Sequence, residues 1–136
     1  MKSIKLLAAS LTLLAPLAFA EVAVVVHPSN NDTLTSADIS RIYLGKLKSF
    51  PGGSPVVPLD LKEGSDIRSQ FVDKVLNKSE SQLKAYWSKL VFSGQGQPPK
   101  VVENAEVLGL IAANPNMIGF MDAAAVDASV KVVARF

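Results

Sequence analysis

An α/β domain built on a mostly parallel sheet flanked by helices is the architecture this sequence predicts, and three observations predict it. Short β-branched runs alternate with segments whose apolar residues recur every three to four positions, the order expected when helices cross between strands. Val22-Ala23-Val24-Val25-Val26 is apolar without a break, the pattern of a strand buried on both faces as in a parallel sheet. The chain has 136 residues and no cysteine, so a hydrophobic core rather than disulfides must hold it together.

Residues 1–20 differ in kind from the rest. Met1-Lys2-Ser3-Ile4-Lys5 is basic, Leu6 to Phe19 is apolar, and Ala18-Phe19-Ala20 ends in small residues, which together read as a secretory signal peptide. The apolar stretch contains Pro16 and falls short of the roughly 20 residues that span a bilayer, so cleavage after Ala20 is expected. Residues 21–136 then form one domain of ordinary size. With Lys2 and Lys5 gone, twelve basic residues face twelve acidic ones. That balance, with no arginine-rich stripe, argues against nucleic acid as a partner. Lacking the cysteine that a lipid anchor needs, the chain reads as a freely diffusing periplasmic protein and not a lipoprotein.

The first strand ends at His27-Pro28, and the polar run Ser29-Asn30-Asn31-Asp32-Thr33 follows. Thr35 is placed to cap a helix with Asp38 at its third position, Ile39, Ile42 and Tyr43 sharing a face and Gly45 closing it. Lys48 to Pro55 is a loop punctuated by Pro51, Gly52 and Gly53. Val56 to Asp60 reads as a second strand, in which Pro58 implies an edge or a bend because it cannot donate to a ladder. Ser65 caps a helix carrying Ile67, Phe71, Val75 and Leu76 at helical spacing. Ser79 and Gln82 form a capping box opening another helix, with Leu83, Trp87, Leu90 and Val91 assigned to its inner face. Ser93 to Pro99 is a loop, and its Ser93 to Gln97 stretch is better suited to a partner contact than to catalysis. A helix over Glu103 to Asn114 turns Val107, Leu110 and Ile111 inward and stops at Pro115; Met117 to Met121 and Val130 to Ala134 complete the strands. In a parallel sheet, the loops after the first and second strands would lie together at the carboxyl end, where ligands bind.

Within that edge, Ser65 opens a helix whose first amides, those of Asp66, Ile67 and Arg68, have no intrahelical acceptor and can receive an oxyanion. Gly64 would let a ligand approach the backbone, and the Arg68 guanidinium would add a charge-assisted contact. The plainer alternative is that Ser65 only caps and Arg68 only faces solvent.

Ile39-Ser40-Arg41-Ile42-Tyr43-Leu44-Gly45-Lys46 followed by Phe50-Pro51-Gly52-Gly53, then Leu61-Lys62-Glu63-Gly64-Ser65 with Arg68 and Phe71, and later Ile118-Gly119-Phe120, resemble in order and spacing the substrate-binding proteins of phosphate ABC transporters. The resemblance implies one lobe of a type II periplasmic binding protein, not an enzyme, that holds phosphate or a similar small oxyanion. Its implied ligand-binding residues are Gly64 and Ser65, with Asp66 and Arg68 in the same turn and Ser29 and Asn30 as uncharged donors after the first strand. It departs from the family at Leu61, where the phosphate loop has an arginine, and at Asp66 and Ile67, where it has glycine and threonine. Implied partners are a membrane transporter or another periplasmic protein, and a weak homodimer that would supply a second wall. A ligand-free interaction or adaptor module of the same fold is the alternative.

No cofactor, catalytic residue or metal ligand is assigned. His27 is the single histidine and no partner for a triad is evident. Asp32, Asp60, Glu63 and Asp66 lack the spacing of a calcium loop. Tyr86, Trp87 and Phe92 invite a sugar-stacking role, against which Trp87 stands at core spacing with Leu83 and Leu90.

Overall fold

The computed structural model describes residues 21–136; the signal peptide expected over 1–20 lies outside the described residues. Five strands, β1 (Val22–Val26), β2 (Val57–Leu61), β3 (Lys100–Val102), β4 (Met117–Asp122) and β5 (Lys131–Arg135), form one sheet in the order β3-β2-β4-β1-β5. The helices are α1 (Ser36–Tyr43), α2 (Asp66–Lys74), α3 (Glu80–Phe92) and α4 (Val107–Ala113).

Local chemistry accounts for the helix starts. Thr35 Oγ1 accepts from the Asp38 amide at 3.1 Å while Asp38 accepts from the Thr35 amide at 3.0 Å. Ser79 and Gln82 make the same reciprocal pair at 2.9 and 3.1 Å. Each box satisfies two amides that the first helical turn leaves without partners. The helix expected over Glu103 to Asn114 is instead a 3-10 turn over Asn104–Glu106 followed by the short α4, and β3 lies just before it.

The sheet has a helical layer on each face, and two adjacent residues of β4 show it. Successive strand side chains point to opposite faces. A methyl on Gly119 would stand 3.1 Å from Val107 and 3.4 Å from Ile111, so α4 covers that face. Phe120, next along, stacks on Phe71 of α2 at 4.0 Å and meets Tyr43 of α1 edge-on at 5.7 Å. Tyr43 is fully buried, and its hydroxyl donates to the carbonyl of Leu59 at 2.8 Å and to that of Ile118 at 3.3 Å, clipping β2 to β4.

β2, β3, β4 and β5 run one way, and β1 runs against them. All five residues of β1 are buried, as its uninterrupted apolar run requires, but the ladder on both sides is antiparallel. Val26 aligns with Ile118 near the start of β4, and Pro58 near the start of β2 aligns with the same residue. The end of β1 is therefore beside the beginnings of β2 and β4. Pro58 is accommodated because β3 first pairs at Leu59, so β2 has a neighbour on one side only at the proline.

Candidate functional site

Reversal of β1 separates the two loops that the sequence pattern places on one edge. Ser29 and Asn30 lie beyond the end of β1, at the end of the sheet where β2 and β4 begin. Gly64 and Ser65 follow β2 and lie at the opposite end. Burial on both faces is the same in either direction, so composition could not distinguish them; only the pairing partner does. The expectation that the two loops build one site is corrected here. Ser29 belongs to a local turn in which its amide and hydroxyl lie 3.1 and 2.7 Å from His27 Nδ1. With Asn30, Asn31, Asp32, Ser54 and Asn116 it lines a polar hollow of about 260 Å³.

At the Ser65 end, Gly64 takes φ of +96°, a left-handed conformation that costs a side-chain-bearing residue about 1 kcal/mol. Ser65 is extended and its hydroxyl accepts from the Arg68 amide at 3.4 Å, a long capping bond. The amides of Asp66 and Ile67 occupy the first turn and have no intrahelical acceptor. A cavity of about 290 Å³ opens beside this turn, lined by Lys62, Ser65, Val102, Glu103, Asn104 and Ala105. Three of these were missed from the sequence: Lys62, which pairs with Glu103, and Asn104, brought in by β3 and the turn after it. Only β3 pairing beside β2 joins Glu103 and Asn104 to Ser65, and a three-residue strand with a single buried position carries little signal in the sequence.

Arg68 is not aimed at that cavity. Its Nε lies 3.3 Å from Asp60 of β2 and its Nη1 3.2 Å from Glu80 of α3. The side chains of Arg68 and Asp60 are only 13 % and 14 % exposed. Burial pushes the Asp60 carboxyl above the ordinary carboxylate range, and the Arg68 charge opposes that shift. The predicted ligand contact from Arg68 is thereby replaced by a structural tie among α2, β2 and α3. No local spacing rule links residues 60, 68 and 80, so the pairing had no signature in the sequence. Asp66 is exposed beside the turn, and Glu103 adds a second carboxylate at the cavity. The arrangement can offer an anion backbone amides, a hydroxyl and the half-neutralised Lys62.

Three solved structures share this architecture. The Vibrio cholerae receptor for ABC-type phosphate transport matches with a TM-score of 0.64 at 22 % identity, over 84 % of this chain and 46 % of that one. A Clostridium perfringens protein with bound phosphate, assigned to the substrate-binding proteins of phosphate ABC transporters, matches with 0.64 at 23 %, over 84 % and 45 %. PstS of Borrelia burgdorferi matches with 0.61 at 18 %, over 85 % and 48 %. The fold is that of one lobe of such a protein. The lobe spans less than half the length of the structures it matches. No protein-family model and no curated protein matches the sequence.

Among the described residues of the lobe, no three His, Asp or Glu side chains gather as a metal site would require. No helix among them is long and apolar enough to cross a membrane. Trp87 is buried with its ring against Gly45 and Gly96, a packing position rather than an open stacking platform. Val91, expected inward, points to solvent because α3 rests on the core chiefly through Leu83 and Trp87.

Proposed function

We propose that this chain is a periplasmic solute-binding lobe that takes phosphate or a similar small oxyanion at the start of α2 and serves ABC-type phosphate transport. The observation that carries the reading is the Ser65-capped first turn of α2, standing beside an open cavity on a fold shared with phosphate transport receptors. Backbone amides at a helix start present partial positive charge to an anion without needing a side-chain cation. The reading includes export directed by residues 1–20 and removal of that leader after Ala20. Binding is through Gly64, Ser65 and the Asp66 amide, with Lys62 as the near cation. Because Glu103 and Asp66 oppose a dianion, affinity is expected in the millimolar to high micromolar range, about 4 to 6 kcal/mol.

Titration calorimetry with phosphate, sulfate and acetate tests this. Heat with phosphate, weakened by Ser65→Ala and by Lys62→Ala, is the expected result. Folded protein giving neither heat nor a thermal shift at millimolar phosphate refutes it.

A second reading, a ligand-free interaction module, is favoured by one specific fact: the Arg68 guanidinium is already taken up by Asp60 and Glu80. Capture of a defined periplasmic partner by protein that ignores every anion tested is what this reading expects.

A further inference from the structure

Charge is distributed unevenly over the chain. From Ile39 to Leu59 there are Arg41, Lys46 and Lys48 and no acidic residue; from Ser81 to Val102 there are Lys84, Lys89 and Lys100 and again none. Six basic residues thus stand in two acid-free segments, while the rest of the described chain has twelve acidic residues against six basic. The fold brings these two segments together. They build an apolar groove of about 270 Å³ in which Ile42, Leu47, Val56 and Pro58 face Trp87 and Pro99, with Lys48 in its wall. The groove lies toward the end of the sheet at which β2 begins, away from the Ser65 cavity.

Its surroundings are basic and apolar at once. Lys84 and Val91 stand three residues before and four after Trp87 on α3, so they share its side of the helix. Val91 is 51 % exposed and Phe92, at the end of α3, is 96 % exposed. Lys100 follows Pro99 directly as the first residue of β3, at the sheet edge. None of Lys46, Lys48, Lys84 or Lys100 makes a salt bridge among the described residues. An open apolar hollow with exposed apolar side chains on the same helix is the usual mark of a contact surface, and lysines without ion-pair partners select the sign of what binds.

We propose that this face docks an acidic segment of a partner protein. One aliphatic or aromatic side chain of that segment fills the groove beside Trp87, and its carboxylates meet Lys46, Lys48, Lys84 and Lys100. A concave hollow sized for a single side chain fits a protein knob better than a flat bilayer, which would engage Phe92 but leave the hollow unfilled. The inference is independent of oxyanion binding, since it uses neither Ser65 nor its cavity.

Trp87 is the only tryptophan, so its fluorescence reports on the groove directly. The probe is a synthetic peptide of alternating glutamates and leucines, compared with one carrying lysines in place of the glutamates. The expected result is a saturable change in Trp87 emission with the acidic peptide alone, weakened by added salt. Lys48→Glu and Lys84→Glu, both at exposed positions, are each expected to weaken binding about fivefold. Four results would overturn the proposal: equal response to both peptides, no emission change at millimolar acidic peptide, preference for phosphatidylglycerol vesicles, or self-association lost in Lys48→Glu. The salt dependence of the unmodified protein decides the matter even if a variant misfolds.

Discussion

Arg68→Met removes the cation that, among the described residues, pairs with both Asp60 and Glu80. The three side chains are 13 %, 14 % and 29 % exposed, so the carboxylates left behind are only partly hydrated. Breaking a fully buried pair costs about 3 to 5 kcal/mol. Here Glu80 keeps some solvent, and Arg68 Nε and Glu80 Oε1 have no well-directed hydrogen bond, so the contact is mainly Coulombic. The expected loss at neutral pH is about 2 to 3 kcal/mol, a fall in Tm of about 8 to 15 °C for a domain of this size. The pH dependence carries a sign. Burial already holds the folded Asp60 carboxyl above its ordinary value, and Arg68 is the main force pulling it down. Without Arg68 it rises further. A carboxyl whose folded pKa exceeds its unfolded one contributes stability when protonated, fully below the unfolded pKa, and loses it as pH rises through the folded pKa. The deficit of the variant is therefore largest at neutral pH and shrinks as pH falls toward about 4. Urea melts of both proteins across that range measure it. An unchanged Tm together with lost phosphate binding would refute the reasoning, because the guanidinium would then be serving the ligand rather than the fold.

Tyr43→Phe removes the hydroxyl that joins the Leu59 and Ile118 carbonyls and is expected to cost about 1 to 1.5 kcal/mol in urea denaturation, with the aromatic cluster otherwise intact. Gly119→Ala adds a methyl 3.1 Å from Val107, overpacking the seat of α4; a loss of about 1 to 2 kcal/mol in thermal unfolding is expected. Gly45 has φ of +71° and a Cβ there would lie 3.0 Å from the Trp87 ring, so Gly45→Ala should cost about 1 to 2 kcal/mol and shift Trp87 emission to the red.

The Ser65 turn was legible because a cap is local: the serine, the glycine before it and the helical spacing after it lie within a few residues. The surroundings of that turn were not. Lys62, Glu103 and Asn104 meet there only through the pairing of β2 with β3, and Glu80 reaches Arg68 from another helix.

The same division runs through the whole fold. Sequence alone determined the starts of α1, α2 and α3, the burial of β1, the inward set Ile39, Ile42 and Tyr43, and a likeness of motif order that the architecture bears out. Those features depend on neighbours within about four positions or on the amount of apolar surface a segment must hide. Tertiary structure decided the direction of β1, the outward turn of Val91, the existence of β3 and the partners of Arg68. A strand buried on both faces satisfies its apolar residues equally well running either way, and what chose between them was a ladder closed across the chain, Val22 opposite Asp122 and Val26 opposite Ile118.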